Sequence, residues 1–178
     1  MATVGQMRLA ALLALVLVVS ACGSGLPAPP PGYERIGHVA DGDTVVLQSG
    51  ATIRLVQIDT PEVYFRPECF GEQASAETKR LLPKNTLVRL VRDPATDSAD
   101  QYGRLLRYVI RSDGLDVNVS LVANGYAAPY FFEGVRGDKA PELEQLALTA
   151  QRERLGLWGA CPSTPYAPEH GVDTGPPP

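Results

Sequence analysis

The feature that most constrains this chain is a run of short β-forming segments separated by turn dipeptides. Ile36–Val39, Thr44–Gln48 and Thr52–Ile58 are β-like, and Asp41-Gly42 and Ser49-Gly50 stand between them. Gly following Asp or Ser supplies the positive-φ position that a tight turn needs. The stretch therefore reads as a three-stranded meander, which needs further elements to bury its apolar face. Leu87–Val91 and Leu105–Ile110 supply two more strands. Residues 71–82 are rich in Glu, Ala, Lys and Leu and read as a helix that Pro83 ends. Asn118–Ala123 is a short helix with Gly125 just past it. A longer helix opens at Pro141: Leu143, Leu146, Ala147 and Ala150 follow the i, i+3, i+4, i+7 rule, Gly156 closes it, and Trp158 then packs as a core residue. Five short strands with about three helices predict an α+β domain built on a small barrel.

The ends differ in kind. Arg8 is followed by eleven apolar residues, Leu9–Val19. A membrane-spanning helix needs about 20; eleven fit the core of a secretory signal. The segment ends Val19-Ser20-Ala21-Cys22, which resembles a bacterial lipobox with Cys22 as the lipidated residue. The expected organisation is a signal over 1–21, a flexible tether over 22–33, a folded domain over 34–161 and a Pro-rich disordered tail over 162–178. The chain would be exported and lipid-anchored to the cell membrane, facing outside the cytoplasm. Loss of 1–21 removes one cation and no acid, so the net charge of −4 falls to −5. That excludes coating nucleic acid by bulk charge and leaves open a cleft where a few arginines are focused. Cys69 and Cys161 then remain, as two thiols or one disulfide; an oxidising compartment favours the disulfide. With His only at 38 and 170, a zinc site is not supported.

Three clusters carry candidate chemistry: Asp41-Gly42-Asp43-Thr44, Arg54 with Asp59-Thr60-Pro61-Glu62, and Tyr102-Gly103-Arg104. Each has a plain reading as a hairpin turn, a turn before proline, or the start of a strand. Arg54 and Asp59 lie five apart, so on a regular strand they face opposite ways; to share a site, the chain must turn or bulge near Ile58. Together the clusters are coherent. Asp43 and Asp59 are hard oxygen ligands suited to Ca²⁺ or Mg²⁺. Glu62 can serve as a base towards water. Arg54 and Arg104 carry planar forks matched to phosphate oxygens. Such a set meets the needs of phosphodiester hydrolysis.

In order and spacing, D-G-D-T, R-x4-D-T-P-E and Y-G-R resemble the staphylococcal nuclease (thermonuclease) family. The likeness continues through Phe70–Ser75 (FGEQAS), Asn118–Tyr126 (NVSLVANGY) and Gly156-Leu157-Trp158, across roughly residues 34–161. The resemblance implies an OB-fold, a five-stranded β-barrel with about three α-helices. It implies one Ca²⁺ held by Asp43, Asp59 and the backbone carbonyl of Thr60, with Asp41 behind them. Arg54, Glu62 and Arg104 would be catalytic, and Tyr102 and Tyr130 would contact nucleotide. The substrates would be DNA and RNA, cut to leave 3′-phosphates, by a monomer with no obligate protein partner. In exported relatives of this kind, Cys69 and Cys161 would pair. Gln101 departs from the family's Lys before Tyr-Gly-Arg, and Phe132 from a second nucleotide-contacting Tyr. Two other readings stand beside this one: a non-catalytic OB module that binds nucleic acid or protein, and a lipoprotein that holds Ca²⁺ for structure alone. Neither accounts for all five of Asp43, Arg54, Asp59, Glu62 and Arg104.

Overall fold

The computed structural model describes residues 26–161 and 164–178. The proposed signal and Cys22 lie outside the described residues. Five strands close a barrel in the order β1(Glu34–Val39), β2(Thr44–Leu47), β3(Thr52–Leu55), β6(Leu105–Arg111), β5(Leu87–Val91), with β5 returning to β1. All neighbours are antiparallel except β3 and β6, which run parallel. The helices are α1(Gly71–Leu81), α2(Val117–Ala123), α3(Ala140–Glu153) and the single turn α4(Leu157–Ala160). This is the α+β domain on a small barrel that the pattern of segments predicts, and the OB-type barrel that the resemblance implies. Closure removes the exposed edges that a five-stranded open sheet would carry.

Ile36, Val45, Leu47, Ile53, Leu55, Val88 and Val109 fill the barrel, with Leu121 of α2 and Leu143 and Ala147 of α3 packed against them. Two helix ends differ from the sequence reading. Asp116 caps α2 by accepting from the Val119 N–H at 3.2 Å. The third helix ends at Glu153, because Arg154 takes a left-handed cap (φ 56°), and Gly156 instead opens α4. Trp158 is buried, as a core residue should be.

The largest departure lies in the third strand. It does not run to Ile58. It stops at Leu55, Gln57 adopts φ 63°, and a separate pair β4(Ile58–Asp59) joins β7(Ala128–Pro129) in a two-stranded sheet. Non-glycine residues are uncommon at positive φ, and here tertiary bonds hold Gln57: its side chain donates to the Val135 carbonyl at 2.9 Å and accepts from the Gly137 N–H at 2.7 Å.

Cys69 and Cys161 are joined, closing a loop of 92 residues. The chain-entropy model assigns such a loop up to about 4–5 kcal/mol. Residues 164–178, expected from composition as a disordered tail, lie against the domain. Tyr166 packs on Trp158 with ring centroids 6.2 Å apart, the Pro168 carbonyl accepts from the Phe131 N–H at 2.6 Å, and Thr174 is buried.

Asn118 ties α2 to the barrel beside this turn. Its side chain accepts from the Val109 N–H at 3.0 Å and donates to the Val56 carbonyl at 2.9 Å. Replacing it with Ala leaves both backbone groups buried without partners, at about 1–3 kcal/mol each. Asn118→Ala is expected to lower unfolding stability by about 2–6 kcal/mol in urea titrations followed by circular dichroism. A loss under 1 kcal/mol would show that these bonds do not hold the junction.

Candidate active site

The barrel brings the three clusters to one end of three adjacent strands. Thr44 of β2 pairs with Arg54 of β3, and Arg54 pairs with Leu106 of β6. The residues flanking these positions therefore crowd one rim. Asp41, Asp43, Arg54, Asp59, Thr60, Glu62 and Arg104 all line one cavity of about 230 Å³.

Arg54 sits at its floor, its side chain 12% exposed. Its Nη1 donates to the carbonyls of Leu55 and Ile58, both at 2.7 Å; its Nη2 donates to Asp59 Oδ1 at 2.6 Å; its Nε lies 3.1 Å from Asp43 Oδ1. The turn at Gln57 is what allows this. It reverses the alternation that would have sent Asp59 to the opposite face.

Asp43 is buried and accepts on both oxygens. Oδ1 takes the Thr44 hydroxyl at 3.1 Å as well as Arg54; Oδ2 takes the Thr60 N–H at 3.0 Å and hydroxyl at 3.1 Å. Asp41 Oδ1 accepts from the N–H groups of Asp43 and Thr44 at 3.1 and 2.7 Å, which folds the Asp-Gly-Asp loop back on itself. Gly42 is required by closeness: a Cβ there would lie 2.3 Å from Thr60 Oγ1.

The electrostatics follow from four carboxylates against two guanidinium groups in one cavity. Burial pushes the Asp59 carboxyl up to about 6, with Arg54 opposing the rise and Asp43 adding to it. Burial and the neighbouring Asp43 raise Asp41 as well, and Glu62 rises from partial burial and then from Asp43 and Asp41. No described residue donates to the Glu62 carboxylate.

This oxygen-rich, negatively biased set fits a hard divalent cation. Among the described residues no group of three acidic, His or Cys side chains could hold an ion unaided. The fit is to an open site of two carboxylates, a carbonyl and water, of the kind Ca²⁺ and Mg²⁺ accept. Two of the donors on Asp43 are threonine hydroxyls, which can rotate their protons away.

Arg104 is held differently. Its Nε donates to Asp100 Oδ2 at 2.6 Å, its Nη1 lies 3.5 Å from the Thr44 hydroxyl, and the guanidinium stands 5.5 Å from the Tyr102 ring centroid. Several N–H groups remain for a ligand. Asp100 is a residue that the sequence reading missed. Its Oδ1 also accepts from the N–H groups of Tyr102 and Arg104, at 2.9 and 3.0 Å, so it shapes the loop and aims the arginine. The signal was there: Asp three residues before Gly103 is a side-chain-closed turn.

A groove of about 550 Å³ adjoins the cavity and shares Arg54 and Arg104 with it; Tyr102, Tyr130 and Phe132 line it. Tyr102 is 75% and Phe132 62% exposed, and Tyr130 meets Phe132 edge-on at 6.3 Å. Exposed rings beside guanidinium groups suit stacking on bases.

An OB barrel with arginines, carboxylates and an aromatic groove on its rim is the arrangement of a phosphodiester-cleaving enzyme. Residues 52–160 match the staphylococcal nuclease homologue family. The chain is 37% identical over 149 residues to Endonuclease YhcR of Bacillus subtilis, covering 74% of this chain and 12% of that protein's length. It is 35% identical over 131 residues to a Thermonuclease of Staphylococcus intermedius, covering 69% of this chain and 74% of that one. It is 31% identical over 142 residues to an uncharacterized endonuclease of Escherichia coli, covering 78% and 85%. The chain belongs to the staphylococcal nuclease family, and with it to the nuclease-type hydrolases.

Gly42→Ala tests the rim. The added methyl must displace the Asp41–Thr44 loop or Thr60, an overpacking cost of about 1–3 kcal/mol. Thermal unfolding of the variant should show a loss of that size. Wild-type stability would mean that the loop is not pressed against Thr60.

Proposed function

We propose that the protein is a Ca²⁺-dependent nuclease that hydrolyses DNA and RNA and leaves 3′-phosphate ends, acting outside the cytoplasm from a lipid anchor at Cys22. The observation that carries this reading is the meeting of Asp43, Asp59, Glu62, Arg54 and Arg104 in one cavity that opens onto an aromatic groove.

Asp43, Asp59 and the Thr60 carbonyl are the oxygens that would hold Ca²⁺. When bound, the ion supplies positive charge that neutralises and polarises the phosphate. The remaining work falls to the chain itself. Glu62, with its carboxylate uncommitted, accepts a proton from the attacking water. The water oxygen bonds to phosphorus and the bond to the 5′ oxygen breaks; the departing 5′ oxygen takes up a proton from solvent water, giving a 3′-phosphate and a 5′-hydroxyl. Arg104 offers its spare N–H groups to the phosphoryl oxygens as charge accumulates, and Arg54 holds the cavity's carboxylates in place while adding positive charge beneath them. Tyr102, Tyr130 and Phe132 stack the neighbouring bases.

The first test is cleavage of single- and double-stranded DNA with Ca²⁺ and then with excess chelator. Activity should require the ion and leave ends that block polymerase extension until a phosphatase removes the 3′-phosphate. Glu62→Gln should lower kcat by about 10²–10⁴-fold with the circular dichroism spectrum unchanged. A folded, Ca²⁺-loaded protein that binds DNA without cutting it would favour the binding-module reading instead.

The anchor is tested separately. In cells, the wild-type chain should fractionate with membranes and Cys22→Ser with the soluble phase. Equal partition of the two would remove the anchor.

A further inference from the structure

The Asp59 carboxylate has a second partner besides Arg54, and it comes from the C-terminal segment. The Val172 N–H donates to Asp59 Oδ2 at 2.9 Å, while Arg54 holds Oδ1. Residue 171 must be small for this to happen. Gly171 adopts φ 79°, and a Cβ there would lie 2.7 Å from Asp59 Oδ2 and 3.7 Å from the Tyr130 ring. The segment is fastened on both sides of this contact. Upstream, the Pro168 carbonyl accepts from the Phe131 N–H, next to Tyr130. Downstream, the Thr174 hydroxyl donates to the Cys69 carbonyl at 2.7 Å and the Gly175 carbonyl accepts from the Cys69 N–H at 2.8 Å. Cys69 is itself bonded to Cys161. Val172 packs beside Ala128, Ala150, Leu157 and Trp158.

We propose that residues 164–178 form a strap whose Gly171-Val172 amide positions Asp59 for the cation. The inference rests on Asp43 and Asp59 being the ion-binding carboxylates. An N–H on one oxygen and a guanidinium on the other fix both the rotation and the tilt of the carboxylate. Each oxygen keeps a second lone pair for the ion. Hydrogen-bonded partners of a ligating carboxylate set its orientation, and their loss typically weakens metal affinity 10–100-fold. The strap thus acts through Asp59 and touches neither phosphate nor water. Its anchoring to Cys69 makes the disulfide part of the same support.

The test is the Ca²⁺ dissociation constant, measured by isothermal titration calorimetry on the folded, disulfide-intact chain, with kcat and KM for DNA measured alongside. Val172→Pro removes the N–H. Gly171→Ala forces the strap or the carboxylate aside. Val172→Ala trims packing and keeps the N–H. Val172→Pro and Gly171→Ala should weaken Ca²⁺ binding about 10–100-fold, and Val172→Ala should stay within threefold of wild type. Saturating Ca²⁺ should then restore most of kcat in the weakened variants. Unchanged affinity in both variants, while the wild type binds, overturns the strap's role and leaves the metal site standing. Tighter binding in either would make the strap a cover that competes with the ion, which also overturns it. Equal weakening by all three would assign the effect to packing rather than to the amide. Absence of Ca²⁺ binding by the wild type overturns the ion site and this inference together.

Discussion

The Arg54 guanidinium is the interaction on which the rest of the site depends. It bonds at once to two carbonyls, Leu55 and Ile58, and to two carboxylates, Asp43 and Asp59. The carbonyls belong to the two arms of the turn at Gln57, so the same group that gathers the acids also pins the backbone that delivers one of them. A buried guanidinium is tolerable only with such compensation, since an unpaired buried charge is very costly. The acids need it equally: burial alone drives Asp59 towards its neutral form, and Arg54 is what opposes this. Neither partner is stable at this depth without the other.

Barrel topology explains why the three clusters meet. Only β3 and β6 run parallel, and that pairing puts Arg54 beside Leu106, two residues past Arg104. The hairpin between β1 and β2 delivers Asp41 and Asp43 to the same rim through the Thr44–Arg54 pairing. A meander with all neighbours consecutive would have left the Tyr-Gly-Arg loop elsewhere. Closure of the barrel is therefore a condition for the site as well as for the core. Asn118 and the Gln57 side chain guard the place where the ladder breaks: Asn118 satisfies the Val56 carbonyl that the interrupted strand leaves unpaired, and Gln57 ties the turn to the backbone of Val135 and Gly137.

Most of the fold was legible because the barrel strands and helices have strong local signals. Asp-Gly and Ser-Gly turns, Pro at helix starts and stops, and regular apolar spacing marked them within a residue or two. The site residues were legible for another reason: hard oxygen ligands and planar cations in short, ordered clusters have few other joint uses. The break after Leu55 was not legible as a position. Thr52–Ile58 looks like one strand, and nothing local marks Gln57 for positive φ; its conformation is enforced by Val135 and Gly137, far along the chain. What the sequence did carry was the contradiction, since Arg54 and Asp59 could not share a site on a regular strand. Asp100 was legible as a turn former before Gly103, but its bond to the Arg104 guanidinium was not, because that depends on how the loop closes.

The C-terminal segment shows where compositional reasoning fails. Pro and Gly without periodicity signal that a segment cannot build its own secondary structure, and residues 164–178 build none beyond a turn. Order can still be imposed from outside when a few backbone groups find partners on a finished surface. Here the partners are Phe131, Cys69 and Asp59, none of which lies within 35 residues of the contact it makes. The disulfide at Cys161 starts the segment from a fixed point, which lowers the entropy lost in docking it. Gly at 171 then becomes an asset, because a side chain would collide with the carboxylate. Gly171, one of the residues that suggested disorder, is what lets the backbone approach the site closely enough to bond to it.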